Sequence, residues 1–304
     1  MAGEEPLSPG TYRELESAGR RKLEEAGVED AAYDARSLML FVCGSDRAHW
    51  PLLMDAPVPD EQKDRFCELI GRRAKREPLQ QILHTAPFFG REFYVDKRVL
   101  VPRFDTETLV EAVLPHLARG MRILDLCTGS GCIALTLLLE GPCGLLGTGT
   151  DISEEALFAA GKNLNSFENE LSLRGSSCTF IQGDLYEPLQ NESLKAGAGF
   201  DVIVSNPPYI PSADIKTLMP EVRDHEPLIA LDGGADGMLF YRRIIDNSPA
   251  FLKEGGLIAL ECGYDQTEAL SELMEAAGFK KVTSFKDNGG NPRCVLGFRT
   301  GHAA

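Results

Sequence analysis

The stretch from residue 121 to residue 139 constrains the fold of this chain more than any other. It begins with a strand-like apolar run over residues 121–126, turns through Gly129 and Gly131, and ends in a helical pattern over residues 132–139. A strand, a glycine-containing turn and a helix in this order form the first unit of a doubly wound nucleotide-binding sheet. The turn lacks the spacing G-x-G-x-x-G of dinucleotide sites. The pattern therefore predicts an α/β fold whose backbone approaches a ligand closely at the turn.

Acidic residues mark the ends of neighbouring predicted strands. Asp125 lies near the end of the first strand, where it can orient groups of the turn. Asp151 follows the next apolar run, residues 145–150, and comes 22 residues after Gly129. At about that spacing an acidic side chain can accept hydrogen bonds from both hydroxyls of an adenosine ribose. A third strand ends beside Asp184, so three strand ends predict one nucleoside site.

A fourth strand, predicted over residues 200–205, ends in Asn206-Pro207-Pro208-Tyr209. Prolines fix φ and donate no N–H, which leaves nearby carbonyl groups available as acceptors. The Asn206 amide oxygen adds an acceptor, and Tyr209 adds an aromatic wall. Such a pocket suits a planar NH2 group, for which methyl transfer is the leading chemistry. Alone, this box also fits a plain strand-ending turn; together with the other strand ends it favours a methyltransferase.

This ordered set of motifs resembles the S-adenosylmethionine-dependent methyltransferases, and most of all the protein-(glutamine-N5) methyltransferases that modify peptide-chain release factors. The similar segments run in order from about residue 12 to about residue 299. Besides the central boxes, they include residues 76–83, 95–107, 226–237 and 286–297. The resemblance implies an α/β fold: a Rossmann-like class I methyltransferase sheet with helices on both faces. A small N-terminal helical bundle and a β-hairpin linker would precede this sheet.

The resemblance also implies S-adenosylmethionine as the cofactor and gives roles to particular residues. The implied cofactor contacts are Cys127, Thr128, Gly129, Ser130, Gly131, Asp151, Asp184, Leu185 and Asn206. Asp125 is added to this set because of its position at the end of the first strand. The implied substrate clamp is Asn206, Pro207, Pro208 and Tyr209, of which Asn206, Pro207 and Tyr209 are the catalytic set. Cys127 stands where many members have glycine, and Leu185 where some carry an aromatic residue. Neither change removes a chemical group that the reaction needs.

The implied reaction is methyl transfer to the side-chain amide nitrogen (N5) of a glutamine, above all the Gly-Gly-Gln glutamine of class I release factors. Three alternatives stay open. One is a nucleic-acid adenine-N6 or guanine-N2 methyltransferase, which uses a similar box. Another is a glutamine methyltransferase of a different translation protein, such as a ribosomal protein. The third is a non-catalytic adenosine-binding regulator, which is disfavoured because such a protein has no need for an amide clamp. The first alternative is disfavoured by the net charge of −15, which argues against broad nucleic-acid binding.

Three segments are predicted along the chain: a helical substrate-recognition domain at 1–85, a β-hairpin linker at 86–103 and a methyltransferase domain at 104–304. The alternative for the first segment is a purely stabilising extension. Its expected helices are residues 12–26, one capped by Asp30 and one opened by Pro59. Later expected elements are a strand at 255–261, a helix at 267–277, an antiparallel pair at 281–285 and 294–298, and a loop at 191–199.

The remaining sequence features limit the expected cellular location, redox state and partners of the protein. The N-terminal segment has no signal-like pattern, and the run at 132–139 is far shorter than the ~20 residues that span a bilayer. Eight cysteines occur without zinc-site spacing. We therefore expect a cytoplasmic monomer with reduced thiols that has a release factor as its substrate, with no metal, no membrane and no direct nucleic-acid binding.

Three minor features remain. The basic cluster Arg72, Arg73, Lys75 and Arg76 fits contact with ribosomal RNA or an acidic partner, but a solvated helix end is favoured. His225 lacks a catalytic partner in the sequence and is interpreted as a surface or packing residue. Glu261, at a strand end, fits either a pocket position or a structural role, and the structural role is favoured.

Overall fold

The computed structural model describes residues 10–190 and 199–300, which divide into two compact units. The first unit contains the described part of Met1–His84 together with a later segment, Met219–His225. The second contains Thr85–Leu218 and the described chain from Glu226 onward. Apart from Gly199, the predicted loop at 191–199 lies outside the described residues.

The first unit is helical. Its helices are α1 Tyr12–Glu25, α2 Ala31–Cys43, α3 Trp50–Leu53, α4 Asp60–Ala74, α5 Leu79–Leu83 and a single turn at Pro220–Arg223. Thr11 begins α1 with a capping box, in which its hydroxyl accepts from the Glu14 N–H and the Glu14 carboxylate accepts from the Thr11 N–H. Pro59 precedes α4 as predicted. Asp30 precedes α2, but the predicted capping bond is wrong: its backbone, with ψ 37°, is not extended, and its side chain makes no cap bond.

The basic cluster at residues 72–76 is not the solvated helix end that was favoured from the sequence. Arg73 is buried, and its guanidinium donates to Asp34 at 2.6 Å and to Glu221 at 3.0 Å. Arg76 donates to the second oxygen of Glu221 at 2.7 Å. Glu221 lies some 145 residues later in the sequence, so local charge counting could not reveal that these cations are neutralised within the first unit.

The second unit begins with a β-hairpin, as predicted. Its strands, β1 Ala86–Phe88 and β2 Arg91–Phe93, pair antiparallel. The two turn residues, Phe89 and Gly90, both have positive φ, 52° and 72°, which is typical of the tight turn that suits hairpin twist. Among the described residues 94–103 the chain forms no further strand, so the hairpin is shorter than the predicted segment.

A seven-stranded sheet follows, and it confirms the predicted α/β class. Its strands are β3 Arg122–Leu126, β4 Leu146–Asp151, β5 Ser177–Gln182, β6 Phe200–Ser205, β7 Leu252–Glu261, β8 Phe279–Lys286 and β9 Pro292–Arg299. The order is β5-β4-β3-β6-β7-β9-β8. The first five strands in this order are parallel, and β9 pairs antiparallel with both β7 and β8. The predicted closing antiparallel pair is therefore present.

Helices cover both faces of this sheet. The helices of the second unit are α6 Glu107–Val113, α7 Cys132–Glu140, α8 Glu154–Leu173, α9 Leu239–Asn247 and α10 Thr267–Ala276. Alternate strand residues enter two separate apolar cores: Ile123 packs with α6 and α7, whereas Leu124 packs with α9 and α10. The strand order reverses between β3 and β6, and open α/β sheets bind ligands at such a switch point.

Candidate active site

The carboxyl ends of β3, β4 and β6 open onto one cleft in the second unit, with a volume of about 1090 Å³ that is partly open to solvent. Strand register sets this up, because Leu126 lies opposite both Thr150 and Ser205. The next residue of each strand therefore emerges at the same edge. Eight of the predicted cofactor residues line the cleft: Cys127, Thr128, Gly129, Ser130, Asp151, Asp184, Leu185 and Asn206. Asp125 and Gly131 are absent from this lining.

The turn after β3 is built from left-handed residues. Cys127, Gly129 and Gly131 have φ of 57°, 54° and 78°, a region that side-chain-bearing residues rarely adopt. A Cβ on Gly131 would come within 2.7 Å of the Phe180 ring, so this glycine permits close packing. A Cβ on Gly129 would meet no protein atom within 4 Å. The backbone at Gly129 is therefore open to a ligand.

Asp125 acts on the cleft from beneath the turn. It is fully buried, and its Oδ2 accepts from the Thr128 hydroxyl at 2.6 Å and from the Ala134 N–H at 3.2 Å. Burial raises the pKa of Asp125 to about 7. These bonds join the turn to the first residues of α7, so the geometry gives Asp125 a role in holding Thr128 in place.

Asp151 presents a carboxylate at the end of β4. One oxygen accepts from the Gly129 N–H at 2.9 Å, and the other accepts from the Ser153 N–H at 2.9 Å. Each carboxylate oxygen has a further lone pair. Burial raises the pKa of Asp151 above its ordinary value. The side chain is thus fixed by backbone donors and keeps two acceptor positions for the hydroxyls of a ligand.

Asp184 and Leu185 follow β5 on another side of the cleft. Asp184 forms an ion pair with Arg243 of α9 at 2.7 Å. Leu185 has a φ of 51°, and its carbonyl accepts from the Thr150 hydroxyl at 2.9 Å. This bond ties the turn after β5 to β4. Phe240 also lines the cleft, and it supplies an aromatic ring that the sequence reasoning did not identify.

Asn206 and Pro208 line the cleft, whereas Pro207 is buried and is absent from the lining. The Asn206 amide nitrogen donates to the Thr106 hydroxyl at 3.3 Å. In the part of the chain that the structure describes, no donor reaches the Asn206 amide oxygen, which leaves it available as an acceptor.

Tyr209 is also absent from the lining of the cleft. Its hydroxyl lies 3.5 Å from Glu261 Oε1, and its carbonyl accepts from the Gln266 amide at 2.8 Å. Burial raises the pKa of Tyr209 well above its ordinary range. Its predicted role as an aromatic wall for the substrate stays a prediction. Glu261 is buried and is likewise absent from the lining.

Several cleft residues escaped the sequence reasoning. Those with side chains of chemical interest are Arg98, Arg103, Thr106, Phe240 and Arg243. Arg103 donates to both oxygens of the buried Glu226 at 2.8 Å, and this ion pair joins two segments of the cleft wall. A signal was present for Arg98, Arg103 and Thr106, since all three lie in the stretch 95–107 that resembles the glutamine methyltransferases. Arg243 carries no local pattern that marks it.

Within residues 10–190 and 199–300, no group of three or more His, Cys, Asp or Glu side chains is arranged to hold a metal ion. Over the same ranges, no helix has the length and apolar character needed to cross a membrane.

Comparison with known proteins identifies the family. Residues 3–83 match the model of the PrmC N-terminal domain, and residues 103–221 match that of the methyltransferase small domain. The chain is 39% identical over 287 residues to the release factor glutamine methyltransferase of Geobacter sulfurreducens, covering 94% of this chain and 96% of that protein. The corresponding protein of Agrobacterium fabrum is 40% identical over 289 residues, covering 93% and 95%.

A solved structure agrees with the fold. The crystal structure of a methyltransferase from Pyrococcus furiosus aligns with a TM-score of 0.50 at 20% identity, over 76% of this chain and 98% of that one. At this identity the match bears on the fold alone, which is the methyltransferase sheet described above. The identity and coverage of the bacterial relatives extend further: this chain belongs to the release factor glutamine methyltransferase family.

Proposed function

We propose that this chain transfers a methyl group from S-adenosylmethionine to the side-chain amide nitrogen (N5) of a glutamine in a peptide-chain release factor. One observation carries the proposal: Asn206, the turn at Gly129 and the Asp151 carboxylate line the same cleft. If Gly129 and Asp151 hold the nucleoside of the cofactor, the amide acceptor and the methyl donor would lie in the same cleft, as methyl transfer between them requires. The named activity of relatives that match more than nine-tenths of the chain supports it.

The residues of the cleft fit the cofactor. The open backbone at Gly129 leaves room for a ligand, and the two remaining acceptor positions of Asp151 suit a pair of ribose hydroxyls. Leu185 and Phe240 offer apolar surface for a purine ring. Residues 127–130, 151, 184, 185 and 206 would hold S-adenosylmethionine, with Asp125 and Gly131 supporting the turn from behind. When bound, the cofactor supplies a sulfonium-activated methyl group.

The chain's own residues would prepare the nucleophile. A carboxamide nitrogen is a poor nucleophile because its lone pair is delocalised into the carbonyl group. The Asn206 amide oxygen and the Pro207 carbonyl would accept the two N–H hydrogens and direct the lone pair toward the methyl group. The methylated nitrogen is transiently cationic and strongly acidic, so water suffices to accept its proton. No histidine or cysteine base is required.

Selection of one glutamine requires a second surface, because a glutamine side chain is small. We propose that the first unit contacts the body of the release factor while the Gly-Gly-Gln glutamine enters the cleft. Among its described residues this unit exposes four large apolar side chains, Tyr33, Phe41, Leu52 and Met219. Replacing each of them by serine should raise KM for intact release factor and leave methylation of a short Gly-Gly-Gln peptide unchanged. Equal effects on both substrates would remove the first unit as a recognition surface.

The proposed function is tested by methyl transfer from radiolabelled S-adenosylmethionine. Intact class I release factor, ribosomal proteins, ribosomal RNA and DNA are offered separately, and the product is mapped by mass spectrometry. We expect label on one glutamine side chain of the release factor. In the Asn206→Ala variant we expect the rate of methyl transfer to fall by about 10²-fold or more. Label on adenine or guanine would establish the nucleic-acid alternative. Label on a ribosomal protein alone would establish another glutamine substrate.

Assembly and location are part of the same proposal. We propose that the chain acts as a monomer in the cytoplasm, without a membrane or nucleic-acid partner. The neutralised arginines at residues 73 and 76 support the absence of a nucleic-acid surface there. Sedimentation at micromolar concentration, with and without release factor, distinguishes a monomer from a dimer.

A further inference from the structure

The substrate clamp, residues 206–209, contains two prolines in a row. A proline fixes φ, so the segment is stiff, but a proline has no N–H with which to hold its own backbone in place. Neither Pro207 nor Pro208 can therefore donate a backbone hydrogen bond to the rest of the molecule. The positions of the acceptors that the clamp offers must then be set at the two ends of the segment.

The first end is set by the central strand β6. Ser205, the last residue of this strand, lies opposite Leu126 of β3 and Leu260 of β7. Its hydroxyl also donates to the Leu126 carbonyl at 2.6 Å. Because strands on both sides hold Ser205, the next residue, Asn206, leaves the sheet from a fixed position.

The second end is held by the side chain of Gln266. Its amide nitrogen donates to the Tyr209 carbonyl at 2.8 Å, across 57 positions of the sequence. Gln266 is buried and directly precedes α10. Its own backbone N–H donates to the Gly263 carbonyl, and its carbonyl accepts from the Leu270 N–H, both at 2.9 Å. The side chain therefore extends to Tyr209 from a backbone that is itself anchored on both sides.

The orientation of the Gln266 amide is fixed by its neighbours. Its oxygen accepts from the Gly263 N–H at 3.0 Å and from the Tyr241 hydroxyl at 3.4 Å. A backbone N–H only donates and a backbone carbonyl only accepts. A reversed amide would therefore oppose two donors at Gly263 and two acceptors at Tyr209. The nitrogen must face the Tyr209 carbonyl, so this hydrogen bond has one allowed direction.

Two glycines let a second segment pack against the same end of the clamp. A Cβ on Gly233 would come within 2.7 Å of the Tyr209 Cα, and a Cβ on Gly237 within 2.4 Å of the Tyr209 oxygen. The following residue, Ile210, donates to the Leu231 carbonyl at 3.0 Å and accepts from the Gly233 N–H at 2.8 Å. The backbone at the end of the clamp is thus closely confined, with Gln266 as the side chain that satisfies its carbonyl.

We propose that Gln266 is a positioning residue: by holding the Tyr209 carbonyl, it fixes the two acceptors that the clamp presents to the substrate amide. The inference rests on the proposed function, because it concerns the segment that would bind the glutamine side chain. Gln266 is absent from the lining of the cleft, so it acts only through the clamp. A reactive geometry tolerates little displacement, and a shift of about 1 Å can lower a rate by about 10²-fold.

Two substitutions in the full chain test this role. Gln266→Glu keeps the shape of the side chain, but its carboxylate opposes an acceptor to the Tyr209 carbonyl. Gln266→Met keeps the length and removes the donor without adding charge. For both we expect kcat with intact release factor to fall about 10–10²-fold at about pH 8.5. The Kd for S-adenosylmethionine should stay within about twofold, because Gln266 does not line the cleft.

Gln266→Glu also allows a rescue by pH. A protonated carboxyl group donates one hydrogen bond and still accepts others, so it can restore the bond to Tyr209 while accepting from Gly263. Burial favours the neutral form of a carboxyl group. Lowering the pH from about 8.5 to about 6 should therefore bring the kcat of Gln266→Glu toward that of the wild type at the same pH. Gln266→Met should show no such recovery.

The comparison with the wild type at each pH removes the effect of other ionisations. The titratable groups around this position are shared by the wild type and both variants, and they are Tyr209, Tyr241, Glu261, Cys262 and Asp265. Only the side chain at position 266 differs. A pH-dependent ratio of the two kcat values therefore reports the proton on the introduced carboxyl group.

The outcomes separate this inference from the proposed function. If the wild type methylates release factor and both Gln266 variants keep kcat, the positioning role is refuted and the function stands. A loss of kcat matched by an equal loss of cofactor affinity would show general packing and overturn the role. If the wild type does not methylate release factor, the function is refuted, and hydrogen exchange still tests the inference. The Ile210 N–H should exchange faster in both variants, and unchanged exchange would refute the role.

Gln81→Glu is the matched control. Gln81 is also buried, and its amide also donates to a backbone carbonyl, that of His225 at 3.2 Å, but both residues belong to the first unit. This variant should keep the wild-type kcat at each pH and the wild-type exchange at Ile210. Thermal unfolding of each variant verifies folding. If Gln266→Glu does not fold, the kcat of Gln266→Met and its exchange at Ile210 decide.

Discussion

Replacing Asp151 should weaken cofactor binding by an amount that its hydrogen bonds define. A carboxylate has about four acceptor positions. The backbone N–H groups of Gly129 and Ser153 occupy two of them, each at 2.9 Å, and the other two are free for ribose hydroxyls. Asp151→Ala removes all four positions. Asp151→Asn keeps one oxygen and turns an NH2 group toward one of the two backbone donors, so it should be less conservative than its shape suggests.

The expected magnitude follows from these bonds. A hydrogen bond to a charged group contributes about 1.5–3 kcal/mol, so losing two costs about 3–6 kcal/mol. Since about 1.4 kcal/mol corresponds to a factor of ten, Asp151→Ala should raise the Kd for S-adenosylmethionine by about 10²–10⁴-fold. Asp151→Asn should lie between this variant and the wild type. Because burial raises the pKa of Asp151, the wild-type affinity should fall as the pH is lowered through that pKa.

Titration calorimetry at pH 8 measures the Kd, and thermal unfolding without cofactor measures any loss of fold. Asp201→Asn is a matched control, because Asp201 also accepts a backbone N–H, that of Arg122, but stands near the start of β6. Its cofactor affinity should equal that of the wild type. If Asp151→Ala folds and binds cofactor within threefold of the wild type, the ribose site is not at Asp151 and the reasoning fails.

Three further predictions concern stability, measured by chemical unfolding. Burial raises the pKa of Asp125 to about 7 in the folded protein, against an ordinary 3.8. Between these two pH values only the folded state holds the proton, so the free energy of unfolding should fall as pH rises, and Asp125→Asn should flatten this slope. Gly149→Ala should cost about 1–3 kcal/mol, because its Cβ would lie 2.6 Å from an aromatic ring; Gly161→Ala, in the open interior of α8, should instead gain about 0.5–1 kcal/mol. Glu221→Ala should cost about 2 kcal/mol, because it leaves buried arginine charge underpaired, whereas Asp55→Asn, in an exposed ion pair, should change little. A flat wild-type profile, an unaffected Gly149→Ala or equal effects of the two acidic substitutions would contradict the respective reasoning.

The sheet could be predicted because its signals are local. The apolar run of β6 and the proline box after it fixed both ends of that strand at residues 200 and 205. The glycine turn after β3 likewise predicted that a helix, α7, begins directly after it. Short elements could not be found this way, since α3 and α5 span only four and five residues. Periodicity needs more residues than that to be visible.

Site residues could be predicted where they directly follow a strand, but less well where they lie buried beneath the strand ends. Cys127, Asp151 and Asn206 were identified because each directly follows a recognisable strand. The depth of a residue was not visible, so Asp125 was assigned to the ligand surface although it is buried beneath the turn. Thr106 contacts Asn206 from 100 positions away, and no spacing rule connects the two.

The membership of Met219–His225 in the first unit has a consequence for synthesis on the ribosome. Arg73 and Arg76 leave the ribosome long before Glu221, their common anionic partner, which is 145 or more positions later. At about 5–20 residues per second this interval lasts roughly 7–30 s. During that time Arg76 lacks the Glu221 carboxylate, and Arg73 has only Asp34 as its anionic partner. Completion of the first unit therefore waits for translation of most of the second, so the two units cannot mature in simple order from the N-terminus.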